Sequence, residues 1–254
     1  KRKDPELALT FYEQEGYPVP AVLEYLMTLL NSNFEEWRRA NPDLPMNDFP
    51  FSTKKMSGSG ALFDIDKLQD VSKNVISRMS ADEVYDFVSA WSAEHDPAFH
   101  ALFTRDPDKS RAFLAIGRGG KKPRKDIALW SDVKPCMDFL FDELFQPDYT
   151  MPERVSAADA KAMLDDFAQV FDPADTPDGF FEKMKAIAEK HGYAADTKAY
   201  KANPDQYKGA VGDVSMVIRV AVAGRQNAPD LQSVMHIMGR EQVLARLAAC
   251  KEAL

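Results

Sequence analysis

Cysteine is nearly absent from this chain: Cys136 and Cys250 are the only two in 254 residues, and they lie far apart. That excludes a disulfide-stapled scaffold and suits a reducing compartment, the cytoplasm. Two cysteines cannot make a zinc site by themselves. Of the four histidines, His95 and His100 flank Asp96 at a spacing that matches no ligand set, and His191 and His236 are distant. They read as core or surface histidines, and no metal is expected. No run of about 18 apolar residues exists, so no helix crosses a membrane, and no charged-then-apolar N-terminal segment is seen, so no signal peptide is expected. A Gly-x-Ser-x-Gly elbow and a phosphate-cradling P-loop are also missing. Paired acids such as Asp142-Glu143 and Asp165-Asp166 read as solvated helix faces. Nothing forms a complete catalytic centre. Positive charge is in deficit, with 32 Lys and Arg against 40 Asp and Glu, a net charge of -8. That argues against a generally basic nucleic-acid binder, although a local basic patch is what contacts phosphate.

What remains is helical. Hydrophobic residues make up 45% of the chain, enough for a core, and the length allows one large domain or two small ones. Val84, Phe87, Val88 and Trp91 fall at i, i+3, i+4, i+7, as do Met137, Leu140, Phe141 and Leu144. Met163, Leu164, Phe167, Val170 and Phe171 form a third stripe. Asp4-Pro5, Asp106-Pro107 and Thr176-Pro177 place a capping residue before a proline at the first helical position. Ser80-Ala81-Asp82-Glu83 is a capping box. Gly192 and Gly239 sit where helices should end. No alternating strand pattern competes, so the fold class is all-α. Residues 1–79, 80–152 and 153–254 form three groups, the first interrupted by a Pro-rich stretch from Asn41 to Phe51. The opening Lys1-Arg2-Lys3 has no initiator methionine and is expected of a piece cut from something longer.

Three sites ask for an explanation. Arg118-Gly119-Gly120-Lys121-Lys122-Pro123-Arg124-Lys125 is the one dense basic cluster, and its glycines and proline make it a loop at a helix end. Such a loop brings cations to phosphates and lets an arginine bond a base edge. Equally, it fits a solvated loop or cations compensating a helix dipole. Lys54-Lys55-Met56-Ser57-Gly58-Ser59-Gly60 nearly spells the Lys-Met-Ser-Lys-Ser loop of class I aminoacyl-tRNA synthetases, but Gly58 stands where the catalytic lysine belongs. No strand–helix alternation precedes it, so the segment reads as a decoy. Arg219 lies inside Val217-Ile218-Arg219-Val220-Ala221-Val222. A charge on so apolar a helix must be paired, snorkelled or used.

The run Gly212-Asp213-Val214-Ser215-Met216-Val217-Ile218-Arg219-Val220-Ala221-Val222-Ala223-Gly224-Arg225, followed by Ala228-Pro229-Asp230-Leu231 and Met238-Gly239-Arg240-Glu241, resembles the C-terminal end of bacterial glutamyl-tRNA synthetases. The likeness runs end to end. Lys1-Arg2 is similar to the last two residues of that family's ATP loop, Tyr12-Glu13-Gln14-Glu15-Gly16-Tyr17 and Ala21-Val22-Leu23-Glu24-Tyr25-Leu26 to the helix pair after it, and Ser59 to Leu68 to the next element. The resemblance implies a small helical stem-contact domain over 1–79, then a two-subdomain helical anticodon-binding cage over 80–152 and 153–254. It assigns Arg124, after Pro123, to the first anticodon base and Arg219 to the middle base. The turn at Pro229 and Leu231 helps hold the bases, with Ala228 where the family has threonine. Arg118, Lys121, Lys122 and Lys125 become tRNA phosphate contacts.

The parent enzyme implied is a monomeric, ATP- and Mg-dependent glutamate–tRNA ligase working through glutamyl-adenylate on a Rossmann-type domain. This chain lacks that domain, keeps Lys1 and Arg2 as a remnant of the ATP loop, holds no cofactor and is expected to be inactive alone. Its partner is tRNA for glutamate, with tRNA for glutamine as a second candidate; an arginine at the Arg124 position favours a discriminating enzyme. DNA and membranes are not expected partners. The competing identity is a non-catalytic helical protein-interaction module, which would need an exposed apolar groove rather than cations converging on one face.

Overall fold

The computed structural model describes residues 5–56 and 62–254. Lys1, Arg2, Asp4 and the Ser57-Gly58-Ser59-Gly60 part of the decoy lie outside the described residues. Thirteen α-helices and no strand occur among those described, with a single bridge between Ala194 and Ala210. The all-α expectation holds. The chain packs as two compact units, Lys1–Cys136 and Met137–Leu254.

The first unit begins with a 3-10 turn at Pro5–Leu7, then α1 (Leu9–Glu15), α2 (Val19–Leu30), α3 (Phe34–Ala40) and α4 (Ile65–Arg78). A hydrophobic cluster of Tyr17, Tyr25 and Leu68, flanked by the aromatic rings of Phe11, Tyr12 and Phe63, seals α2 against α4. Tyr25 offsets its burial with a hydrogen bond, its hydroxyl accepting the Asp64 N–H at 2.6 Å. Asp64 in turn caps α4. Next come α5 (Ala81–His95), α6 (Pro97–Phe103), α7 (Pro107–Ala115) and the short α8 (Val133–Met137). The Ser80 capping box forms as the sequence requires: Ser80 Oγ accepts the Glu83 N–H and the Glu83 carboxylate accepts the Ser80 N–H at 2.7 Å. Asp106 and Asp96 cap α7 and α6, each ahead of a proline. The carbonyls ending α1 are taken by later segments. Trp91 Nε1 donates to Glu13 O, Trp130 N to Gly16 O and Ser131 Oγ to Glu15 O. That is why residues before and after 79 fold into one unit.

The second unit contains α9 (Ala157–Val170), α10 (Pro177–Lys190), α11 (Thr197–Ala202), α12 (Val211–Ala223) and α13 (Leu231–Ala253). Helix α12 carries its apolar residues all round and is packed by α9, α10 and α13. Thr176 caps α10 ahead of Pro177. Gly192 follows the end of α10, and Gly239 breaks α13 with φ 79 and ψ 169, so both glycines interrupt helices where expected.

Each stripe departs in part from expectation. On α9 Met163, Leu164, Phe167 and Phe171 are buried, but Val170 is 42% exposed. Phe87 is 46% exposed, while Val84 and Val88 are fully buried. Its ring instead stacks on Trp130, with centroids 5.4 Å apart. Met137, Leu140 and Phe141 are buried, but the segment is a 3-10 turn at Asp138–Leu140 followed by further turns, not an α-helix. Remote side chains capture a main-chain carbonyl and a carboxylate of this segment. Gln242 donates to Leu140 O at 3.0 Å, and Arg225 pairs with Asp138 at 2.9 Å. Tertiary partners outweigh local periodicity there.

Helices α9 and α10 are tied by Asp166, which accepts from Lys190 at 2.7 Å and contacts His191 Nε2 at 2.7 Å. The Lys190 hydrogen bond, aided by His191, holds the Asp166 carboxyl below its ordinary value of 3.8. A group lowered on folding contributes stability above its unfolded pKa and loses it as pH falls through the folded one. The urea midpoint is therefore expected to drop on acidification below about pH 4, and Asp166→Asn to be weaker at neutral pH but flatter across that range. Parallel curves for wild type and Asp166→Asn would refute this.

Candidate nucleic-acid interface

In the first unit the sequence-predicted basic residues share one loop but do different things. Helix α7 stops at Ala115, and the chain runs without regular structure from Gly117 to Leu129, closed at its base by Arg124 N–H donating to Gly117 O at 2.8 Å. Arg118 turns inward. Its Nε donates to Leu114 O at 2.8 Å and its Nη1 to Ile76 O at 2.7 Å and Met79 O at 3.3 Å. It thus caps the carbonyl ends of α4 and α7. Burial, reinforced by the neighbouring Arg124 charge, lowers its pKa, while Asp126 opposes that. Lys121 and Lys122 are exposed, and their ammonium groups have no partner among the described residues. Lys125 is exposed and donates to Asn74 Oδ1 at 2.6 Å.

Arg124 is the unusual one. Its Nε pairs with Asp126 Oδ1 at 2.7 Å, and its guanidinium lies over the Phe113 ring, 5.4 Å from the centroid. The side chain is 19% exposed, and Nη1 and Nη2 are both buried without a hydrogen-bond partner. Pro123 and Lys125 also line a cavity of about 420 Å³. Five cations, Arg38, Arg39, Lys67, Arg78 and Lys125, face three acids there. Glu24 sits between Arg38 (3.0 Å) and Arg78 (2.9 Å), and Glu35 between Lys67 (2.7 Å) and Arg39 (3.3 Å). Each of these two carboxylates is outnumbered, so this cavity is locally basic in an acidic chain. The decoy segment contributes only a 3-10 turn, Thr53–Lys55, capped by Ser52.

In the second unit Arg219 lies on the single face of α12 that is not packed, in line with Gly212 and Ser215. No carboxylate pairs with it among the described residues. Its Nη1 donates to two main-chain carbonyls, Ala228 O and Pro229 O, the latter at 2.6 Å. Burial lowers its pKa, and Asp230 raises it again. Nε and Nη2 carry no hydrogen bond among the described residues, so one flat edge of the guanidinium keeps its donors. The turn it grips leads into α13, where Asp230 accepts the Ser233 N–H at 2.9 Å and Leu231 is buried in the core. Pro229 is half-buried. Behind the turn, Gly224 ends α12 at φ 67, and its carbonyl accepts the Asp148 N–H at 2.8 Å. A β-carbon there would meet Pro147 Cα at 2.7 Å.

Sequence reasoning missed three participants. Asp126 stood two residues after Arg124, and an acid inside a basic cluster was the available signal. Arg225 followed the helix-ending Gly224 and pairs with Asp138, 87 residues away. Arg246 lies over the Phe145 ring at 3.4 Å. For these last two no local signal exists.

Residues 122–251 match the family model described as the anticodon binding domain. The chain is 49% identical over 247 residues to the glutamate–tRNA ligase of Acetivibrio thermocellus and 46% identical over 250 residues to that of Sorangium cellulosum. These matches take in 97% and 98% of this chain but 45% and 44% of those proteins, so the chain spans about half the length of the curated relatives it matches. Among solved structures, a glutamate tRNA ligase from Elizabethkingia meningosepticum superposes with a TM-score of 0.65 at 17% identity, over 96% of this chain and 43% of that one. A glutamate–tRNA synthetase from Elizabethkingia anophelis gives 0.62 at 16% identity, over 95% of this chain and 42% of that one. At such identities the superpositions establish the fold alone. Because the family model takes in just over half of the residues, and close relatives run along nearly all of them, the chain belongs to the anticodon-binding domain family, in the form carried by glutamate–tRNA ligases.

Proposed function

We propose that this chain is the tRNA-reading part of a cytoplasmic glutamate–tRNA ligase, with tRNA for glutamate as its partner. ATP, Mg²⁺ and glutamyl-adenylate chemistry belong to the remainder of the parent enzyme. Residues 1–79 contact the tRNA stem, and 80–152 and 153–254 are the two halves of the anticodon cage. Anticodon bases leave their stack and present their edges to protein side chains, as single-stranded RNA loops allow. Arg124 reads the first base and Arg219 the middle one. Pro229 and Leu231 shape the turn beside Arg219. Lys121, Lys122 and Lys125 contact phosphates, and Arg118 holds the loop that carries them.

One observation carries this function: Arg219 is fixed by two main-chain carbonyls through Nη1 alone and keeps its Nε–Nη2 edge unsatisfied. A purely structural arginine on this helix would be expected to spend both edges or meet a carboxylate. A fixed donor fork is what a base carbonyl and ring nitrogen accept, and a lysine cannot copy it.

The test is tRNA binding by this chain across a panel of anticodons. Arg219→Lys should cost about 1–3 kcal/mol with the cognate anticodon and far less once the middle base is changed. Equal loss across the panel would make Arg219 a phosphate contact. Replacing Lys121 and Lys122 by alanine should instead weaken all anticodons alike and reduce the salt dependence by roughly one unit of slope for each phosphate no longer neutralised. Binding indifferent to salt would remove the basic loop from the interface. The clamp has a signature without RNA: Arg219→Met leaves the Ala228 and Pro229 carbonyls without their donor and should lower unfolding stability by about 1–3 kcal/mol. Wild-type stability in that variant would show the clamp to be dispensable.

A further inference from the structure

The cavity of about 420 Å³ in the first unit is walled by two carboxylates, each shared by two cations. Glu24 Oε1 accepts from Arg38 Nη2 at 3.0 Å and from Arg78 Nη2 at 2.9 Å, and Glu35 Oε1 from Lys67 at 2.7 Å and Arg39 at 3.3 Å. Each trio keeps one positive charge in excess. Lys125 and the exposed Asp70 add one charge of each sign. Five cations against three acids leave a positive lining in a chain whose net charge is -8. The state of the donors narrows what this lining can take. Arg38 is committed, since its Nη1 donates to Asn41 O, Pro42 O and Leu44 O. Arg78 is not. Glu24 holds its Nη2, while Nε and Nη1 carry no hydrogen bond among the described residues. Both forked edges of a guanidinium, Nε–Nη2 and Nη1–Nη2, include Nη2. Glu24 therefore breaks both forks. Arg78 keeps single donors, which suit a phosphate oxygen, and loses the paired donors that a base edge needs. Lys125 is a point charge whose Nζ is bonded to the neutral Asn74 amide at 2.6 Å. Phe34, the aromatic residue of the lining, is 1% exposed and offers no face on which a base could stack.

We propose that this cavity seats the sugar–phosphate backbone of the paired stem of the tRNA, with Arg78 and Lys125 as its phosphate contacts, positioned by Glu24 and Asn74. This rests on the stem-contact reading above and carries it past residue 79, because α2, α3, α4 and the loop after α7 all contribute to one site. Backbone phosphates lie on the outside of a duplex and reach a cavity that paired bases do not, and double-helical RNA is recognised largely through them. The space falls within the range of about 300–1,000 Å³ typical of ligand sites, so a phosphate enters with its ribose. Contacts of this kind fix the position of the protein along the helix and carry no base sequence. The contrast with Arg219 lies in the fork. Arg219 spends Nη1 and keeps Nε–Nη2 whole, whereas Arg78 spends the one nitrogen common to both edges.

The experiment measures binding of this chain to a full transcript of tRNA for glutamate and to its isolated anticodon stem-loop, over a range of salt. The wild type is expected to hold the full transcript more tightly. Arg78→Gln and Lys125→Ala should each cut that advantage by about fivefold and lower the salt slope for the full transcript by roughly one, with stem-loop affinity within about twofold of wild type. Arg78→Lys should keep most of the advantage, since a phosphate accepts a point charge where a base edge would not. Exchanging stem base pairs for others that preserve the helix should leave these effects unchanged. An advantage that survives both Arg78→Gln and Lys125→Ala overturns the role of the cavity and leaves the stem-contact reading standing. Equal weakening on both RNAs also overturns it, because a merely structural role would act that way. No advantage in the wild type overturns the cavity and the stem-contact reading together. ATP that raises the melting temperature of the wild type but not of Arg78→Gln would make the cavity a free-nucleotide site and overturn the proposal.

Discussion

Eight of the thirteen residues of α12 are buried, and water reaches the helix along one line only. A helix apolar on nearly every side must be enclosed, and α9, α10 and α13 enclose it. Beyond the first turn, where Asp213 accepts the Ala210 N–H, that line is where the helix carries a charge. Arg219 occupies it, and the acceptors it meets there are the carbonyls of the turn that follows Gly224. The same enclosure that builds the core therefore positions the arginine, fixes the start of α13 and leaves one donor edge facing outwards. In the second unit, the packing of the core and the placing of Arg219 come from one arrangement.

Arginines in this protein often serve main-chain carbonyls. Arg118 takes those of Leu114, Ile76 and Met79, Arg219 those of Ala228 and Pro229, and Arg240 that of Phe171. Helix and turn ends leave such carbonyls unpaired, and a cation is their strongest donor. A basic cluster counted from sequence thus overstates the charge available to a ligand. Of the five cations between 118 and 125, Lys121 and Lys122 alone have unengaged side chains among the described residues. The acidic balance of the chain is compatible with RNA binding on these terms, since a few free cations on a glycine-rich loop act locally.

Much of this was legible beforehand because it is local. Caps at Ser80, Asp106 and Thr176, the stripe on α9 apart from Val170, the ends at Gly192 and Gly239, and the loop nature of 118–125 each depend on residues within one or two turns. The failures are tertiary. Met137 to Leu144 has helical spacing, but Gln242, Arg225 and Arg246 lie about a hundred residues away or nearly so and redirect its polar groups. Phe87 follows its stripe in sequence, yet its half-exposed ring stacks on the buried Trp130, forty-three residues later. The candidate site divides the same way. Arg124 and Arg219 stood out as charges in informative surroundings, whereas Asp126 and the carbonyls under Arg118 and Arg219 became visible only with distances in hand.

Gly224 shows how an interface can be specified by missing atoms. Its left-handed φ excludes ordinary side chains, and independently a β-carbon would strike the Pro147 backbone. Its carbonyl meanwhile holds Asp148 and so the loop leading out of Phe145 and Pro147. Every missense change at a glycine codon adds at least one carbon. At this position heredity therefore offers no conservative option: any inherited substitution pushes on the loop that packs against the end of α12, five residues from Arg219. A genetic screen for loss of the proposed tRNA reading would be expected to recover this silent-looking glycine alongside the charged residues proposed for it.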